Sequence, residues 1–146
     1  IQGSLIPVVF ISIVVGYGTA VQATPVFGWL VEQVLSLDMN PYLLTFVAVN
    51  LLAGMTANGT GGVTLFMENF GATILGNPAI NVGALHRIAA ISGAGFDSLP
   101  HNGAIAFQLS VFKLSYKDGY FQQFMMSVLV NLLAGLLAVL MAVVLF

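Results

Sequence analysis

Charge is the scarcest thing in this chain. Of 146 residues, 3 are Lys or Arg and 5 are Asp or Glu, so 5% of the chain is charged, where an ordinary soluble domain is about a quarter charged. So few charged side chains cannot cover the surface of a soluble domain of this size, which excludes a water-soluble enzyme. The lack of a basic face likewise excludes a nucleic-acid partner. Cysteine is absent altogether, which removes disulfides and thiolate zinc sites and leaves the compartment open. What is abundant is apolar: 59% of residues are hydrophobic and the mean hydropathy is +1.03. The class is an all-α integral membrane protein, with the lipid bilayer as its first partner.

The charges fall at Glu32, Asp38, Glu68, Arg87, Asp97, Lys113, Lys117 and Asp118, and long uncharged stretches separate them. A bilayer-spanning helix needs roughly 20 apolar residues, so the pattern predicts about four or five spans. Ile1 has no Met before it and no basic leader, and the first residues already read as membrane helix. The chain therefore reads as a piece of a longer protein, whose remainder is a partner.

The segments differ in kind. The last helix, over 119–146, is the one simple span, and Asn131 and Gly135 share one of its faces, as helix packing in lipid requires. Near the start, residues 5–15 are apolar, and Gly16-Tyr17-Gly18-Thr19 then interrupts them. That reads as a span bent at its glycines or as a bend lining a cavity. Asn40-Pro41 is a cap and first-turn pair that opens a helix of about 14 residues, some 21 Å at helical rise. The helix meets Met55-Thr56-Ala57-Asn58-Gly59-Thr60-Gly61-Gly62, after which a shorter arm resumes. Neither arm crosses ~30 Å of hydrocarbon comfortably. The segment over 41–72 therefore predicts a re-entrant helical hairpin with a polar, glycine-rich tip. A second interruption, from Ser92 to Gly103, splits a transmembrane helix over 82–112.

Non-helical backbone at membrane depth survives only where protein or a wet cavity satisfies its N–H and C=O groups. Two such breaks so close together point to a ligand held between discontinuous helices, with half-helix N-termini aimed at an anion. Gly59, Gly61, Gly62, Gly93 and Gly103 allow close backbone approach, and Thr56, Asn58, Thr60, Ser92, Ser98 and Asn102 are candidate donors. A helix N-terminus contributes about 0.3–1 kcal/mol, whereas taking a carboxylate from water costs several kcal/mol. Hydrogen bonds to a charged group add roughly 1.5–3 kcal/mol each, so two or three donors close the gap. Neither tip contains Lys or Arg, so an anion needs a co-transported cation. Asp97 and His101, inside the second break, are the candidates for proton or ion coupling. Alternatively they pair with each other to hold the break. His86 and Arg87 read as an interfacial pair. The two histidines lie too far apart in sequence for a metal ligand set, and no cofactor is called for. Gly93 to Asp97 has one residue too many for the glycine-aspartate motif of intramembrane proteases.

These residues also carry a resemblance. Thr56-Ala57-Asn58-Gly59-Thr60-Gly61-Gly62, then Leu85-His86-Arg87-Ile88-Ala89, then Asp97-Ser98-Leu99-Pro100-His101-Asn102-Gly103-Ala104 resembles the C-terminal third of the gluconate permease family. There T-G-S-A-S-G-G precedes L-H-R and D-T-L-P-H-N-G-A. Gly16-Tyr17-Gly18 through Gln22-Ala23-Thr24-Pro25-Val26-Phe27 is similar to the segment before them in members that take hydroxybutyrate-type substrates. The family belongs to the ion transporter superfamily, built from two inverted repeats that each supply a hairpin and a broken helix. The resemblance implies proton-coupled symport of gluconate, 3-hydroxybutyrate or related hydroxy acids, with Na⁺ as the alternative coupling ion. It also implies a homodimer, an elevator-type transport domain and a multi-pass position in the bacterial inner membrane. Asn58 and Thr60 stand where the family often has serines, which keeps donor capacity and raises steric volume. Gluconate and a shorter hydroxy acid fit this pattern equally well. The other reading is a non-transporting membrane subunit or channel fragment. Lys113 and Lys117 against the single Arg87 place residues 113–118 on the cytoplasmic side.

Overall fold

A computed structural model describes the backbone of residues 2–146 and the side chains of residues 5, 8, 9, 12, 13, 16–34 and 36–146. Ile1, read above as lying already in a membrane helix, falls outside them. Every regular element among the described residues is helical. In chain order they are α1 (Gln2–Gln22), α2 (Pro25–Leu35), α3 (Pro41–Thr56), α4 (Gly59–Leu75) and α5 (Val82–Gly93). A single 3₁₀ turn (Phe96–Ser98) follows, then α6 (Gly103–Val111), α7 (Tyr116–Gln123), a π turn (Phe124–Leu129) and α8 (Val130–Leu145). The last three run on without interruption as Tyr116–Leu145, which is long and apolar enough to cross a membrane.

Caps set the starts. Thr24, Asn40, Asn58, Asn81, Asn102 and Ser115 each accept a hydrogen bond from a first-turn N–H of the helix they precede. Pro25 and Pro41 occupy first-turn positions, where a missing N–H costs nothing. The Tyr42 hydroxyl accepts from the Asn81 N–H at 2.8 Å, so the start of α3 also fixes the entry to α5.

Helix α3 is the axis of the molecule. It is apolar on every side, and Tyr42, Phe46, Val49, Leu52 and Ala53 are all buried, because α1, α4, α5 and α8 surround it. Close packing of small residues lets such helices approach one another. Small residues mark the seams. A methyl on Gly62 of α4 would lie 2.5 Å from the Ala53 backbone nitrogen, so α3 and α4 touch backbone to backbone. A methyl on Gly135 of α8 would lie 2.5 Å from the Phe46 ring. The outward face of α8 carries Leu133, Leu137, Leu140 and Val144, all exposed.

Two boundaries differ from the sequence expectation. Helix α1 runs unbroken through Gly16 and Gly18 to Gln22, without the interruption expected there. A helical glycine costs only about 0.5–1 kcal/mol relative to alanine, and a methyl on Gly18 would meet Thr56 at ordinary contact distance. The first tip is also shorter than expected. Gly59, Gly61 and Gly62 are the opening residues of α4, and only Ala57 and Asn58 separate the arms. Ala57 adopts a left-handed conformation, φ 51°, and its N–H donates to the Ala53 carbonyl to close α3.

The Gly62 seam generates a test. Gly62→Ala is expected to destabilise the full-length protein by about 1–3 kcal/mol, seen as a lowered thermal midpoint in detergent. Gly16→Ala has open space around it and should not lower the midpoint, since alanine is the better helix residue. A wild-type midpoint for Gly62→Ala contradicts the close approach.

Candidate functional site

Both interruptions meet at one place. Asn102 joins them. Its Nδ2 donates to the Ala57 carbonyl of the first tip at 2.9 Å and to the Asp97 carbonyl of its own break. Its Oδ1 accepts from the Ala104 and Ile105 N–H groups at the start of α6. Beside it the backbones touch at two glycines. A methyl on Gly59 would lie 2.3 Å from the Gly93 carbonyl oxygen, and one on Gly93 would lie 3.2 Å from the Gly59 carbonyl oxygen.

The carbonyls freed by the second break are taken up by side chains from the end of the chain. Tyr116 donates its hydroxyl to the Pro100 carbonyl at 2.9 Å, and Tyr120 donates to the Ser98 carbonyl at 3.2 Å. Asn131, just past the π turn, donates to the Ala94 carbonyl at 3.2 Å. On the first arm, the Gly54 carbonyl accepts from His101 Nε2 at 2.7 Å.

Several expected ligand donors are engaged within the protein. The Thr56 hydroxyl donates back to the Leu52 carbonyl at 2.8 Å and the Ser92 hydroxyl to the Ile88 carbonyl at 2.7 Å. Both residues are buried, so neither hydroxyl faces a cavity. Asn58 Oδ1 accepts from the Gly61 N–H, and the Gly62 N–H donates to the Asn58 carbonyl. The Ser98 hydroxyl donates to Asp97 Oδ1 at 2.8 Å. Thr60 is exposed, and Gly103 is the first residue of α6.

Two open clefts flank the joined tips. One, of about 400 Å³, is lined by Gly59, Thr60, Val63, Ala90, Gly93, Ala94 and Asp97. The other, of about 410 Å³, is lined by Tyr17, Leu51, Gly54, Met55, Phe96, Leu99 and His101. Asp97 and His101 therefore line different clefts, and no ion pair joins them among the described residues. Four positions apart would place them on one helical face, but the 3₁₀ turn ends at Ser98 and Leu99 is extended (φ −69°, ψ 162°). That geometry turns the two side chains apart. No group of three or more His, Asp or Glu converges among the described residues. His86 and Arg87 are exposed on α5.

Two polar residues near the tips escaped the sequence reading. Tyr17 of α1 stands edge-on to the His101 ring, centroids 6.2 Å apart. Its signal was its place between Gly16 and Gly18. Asn50 is buried in α3, its Nδ2 donating to the Phe46 carbonyl at 2.9 Å. Its Oδ1 has no partner among the described residues and faces Gly95, where a methyl would lie 2.0 Å from it. A polar side chain in the middle of an apolar run is a signal in itself.

The class defined by these features is an all-helical chain with one membrane-length helix and two helix breaks locked together. No family model matches the chain, and no solved structure matches it. A protein of Bacillus subtilis (strain 168) named uncharacterized transporter YxjC is 29% identical to it over 108 residues. The similarity covers 72% of this chain and 23% of that protein, so the matched stretch is less than a quarter of the length of this relative.

The bridge through Asn102 is directly testable. Asn102→Asp keeps the oxygen that caps α6 and loses both donations. It should destabilise the full-length protein by about 1–3 kcal/mol, because buried carbonyls are left without donors. Thermal unfolding in detergent measures this, and an unchanged midpoint removes Asn102 from the role of bridge.

Proposed function

We propose that this chain is the C-terminal, substrate-handling part of a secondary active transporter for organic acids. The carrying observation is that two helix interruptions meet and are satisfied by protein groups, with an open cleft on either side. Broken helices at membrane depth are costly, and a purely structural subunit has no use for two of them at one point. The similarity to a protein named as a transporter supports the same reading. So does the resemblance of the Thr56 to Gly62 and Asp97 to Ala104 stretches to the gluconate permease family.

In this reading α3 and α4 form a re-entrant hairpin, and α5 with α6 forms the broken transmembrane helix opposite it. The substrate is a hydroxy or sugar acid such as 3-hydroxybutyrate or gluconate, bound beside the joined tips. Neither tip contains Lys or Arg, so the substrate's negative charge must travel with a cation. The proton is the coupling ion that the titratable Asp97 and His101 favour, with Na⁺ the alternative. The working protein is a homodimer in the bacterial inner membrane, residues 113–118 face the cytoplasm, and the tip region moves as an elevator-type unit.

The test is uptake by the full-length protein in proteoliposomes under imposed proton or sodium gradients. Accumulation of a labelled hydroxy acid under an inward proton gradient is the expected outcome. Flux that equilibrates without accumulating identifies a channel. No uptake of any organic anion under either gradient overturns the transporter reading.

A further inference from the structure

The two clefts offer an anion opposite receptions. The cleft on the α4–α5 side holds the Asp97 carboxylate, which repels a second carboxylate. The cleft between α1, α3 and the second break holds Tyr17 and His101 beside the apolar side chains of Leu51, Met55, Phe96 and Leu99. The bond from His101 to Gly54 does more than position the ring. A carbonyl oxygen only accepts, so the 2.7 Å contact puts a hydrogen on Nε2, and the neutral ring carries its lone pair on Nδ1. A proton taken up by His101 therefore binds at Nδ1. It turns an acceptor into a donor and leaves the anchor to Gly54 intact. Tyr17 stands across the same cleft with its ring 6.2 Å from the imidazole. Its hydroxyl has no hydrogen-bond partner among the described residues.

We propose that the substrate carboxylate is held in this cleft by the Tyr17 hydroxyl and by Nδ1–H of protonated His101. The coupled proton and the substrate's counter-charge are then one and the same. The proposal rests on the transport reading above and assigns its carboxylate site. The groups that face His101 support it. From α1 comes Tyr17, and from α3 come Leu51, Gly54 and Met55, none of them charged. From the second break itself come Phe96 and Leu99, also uncharged. Asp97, the nearest charge in the sequence, lines the opposite cleft. Among the described residues no carboxylate lines this cleft, so an incoming one is the natural partner of the imidazolium. The lining also selects the substrate class. Four apolar side chains with two donors suit a short hydroxycarboxylate that has a hydrocarbon portion. A polyol acid would bury several hydroxyls against carbon without partners.

The experiment uses the full-length protein in proteoliposomes, with KM for 3-hydroxybutyrate and gluconate measured at about pH 6 and about pH 8. Wild type should show a KM for 3-hydroxybutyrate at least about tenfold lower at the acid pH, and lower than that for gluconate. Tyr17→Phe should raise KM by about tenfold, one hydrogen bond to a charged group, and keep the pH dependence. His101→Gln retains an amide N–H for the Gly54 carbonyl and cannot be protonated, so it should abolish both the pH dependence and proton-driven accumulation. Tyr17→Phe with wild-type KM, or His101→Gln with the pH dependence intact, overturns the carboxylate assignment and leaves the transport reading standing. Gluconate taken up with the lower KM overturns the substrate class. If His101→Gln fails to fold, Tyr17→Phe decides alone. No uptake of either acid by wild type is the distinct result that overturns the transport reading itself.

Discussion

A helix that stops leaves carbonyl oxygens without their intrahelical donors, and each must find another. This constraint accounts for most of the polar residues at the centre of the molecule. The Ala57 and Asp97 carbonyls share Asn102, Ser98 has Tyr120 and Pro100 has Tyr116. Ala94 has Asn131 and Gly54 has His101. Remove these donors and neither break has a reason to hold its shape. The left-handed Ala57 belongs to the same account. A non-glycine residue there costs roughly 1–2 kcal/mol, and the turn it makes presents its carbonyl to Asn102.

The same constraint explains which parts of the fold could be read from residues alone. Asn40-Pro41 and the run from Ser92 to Gly103 are local signals of capping and breaking, and helices α3, α5 and α6 start and stop close to where those signals lie. Glycine was the poorer guide. Gly16 and Gly18 sit inside an unbroken helix, and Gly59 to Gly62 open one, because the Asn58 cap and close packing on Ala53 offset glycine's modest helical cost. Polarity marked the site but not the direction of its side chains. Thr56 and Ser92 bond back into their own helices, a habit of hydroxyls in apolar helices that composition does not reveal. Tyr17 meets His101 only because α1 packs across the tip, a contact far apart in sequence.

Asp97 and His101 show how one turn of backbone redistributes chemistry. Had the helix continued, a carboxylate and an imidazole four residues apart would have neutralised each other. The 3₁₀ turn and the extended Leu99 send them to separate clefts. Asn50 is the odd member of this centre. Its oxygen lies against Gly95 with no donor among the described residues, a standing cost in a layer where every other bridge is matched.

The donors that complete the second break come late in the chain, and this orders its assembly. Tyr116, Tyr120 and Asn131 lie 16, 22 and 37 residues beyond the carbonyls they satisfy, while Asn102 reaches back 45 residues to Ala57. Synthesis runs from the N-terminus and long-range contacts form last. Until Tyr116, Tyr120 and Asn131 are in place, the Pro100, Ser98 and Ala94 carbonyls lack the donors that the fold gives them. A truncation that removes Tyr116–Leu145 should therefore be felt first at the Ser98–Pro100 turn, upstream of the missing residues.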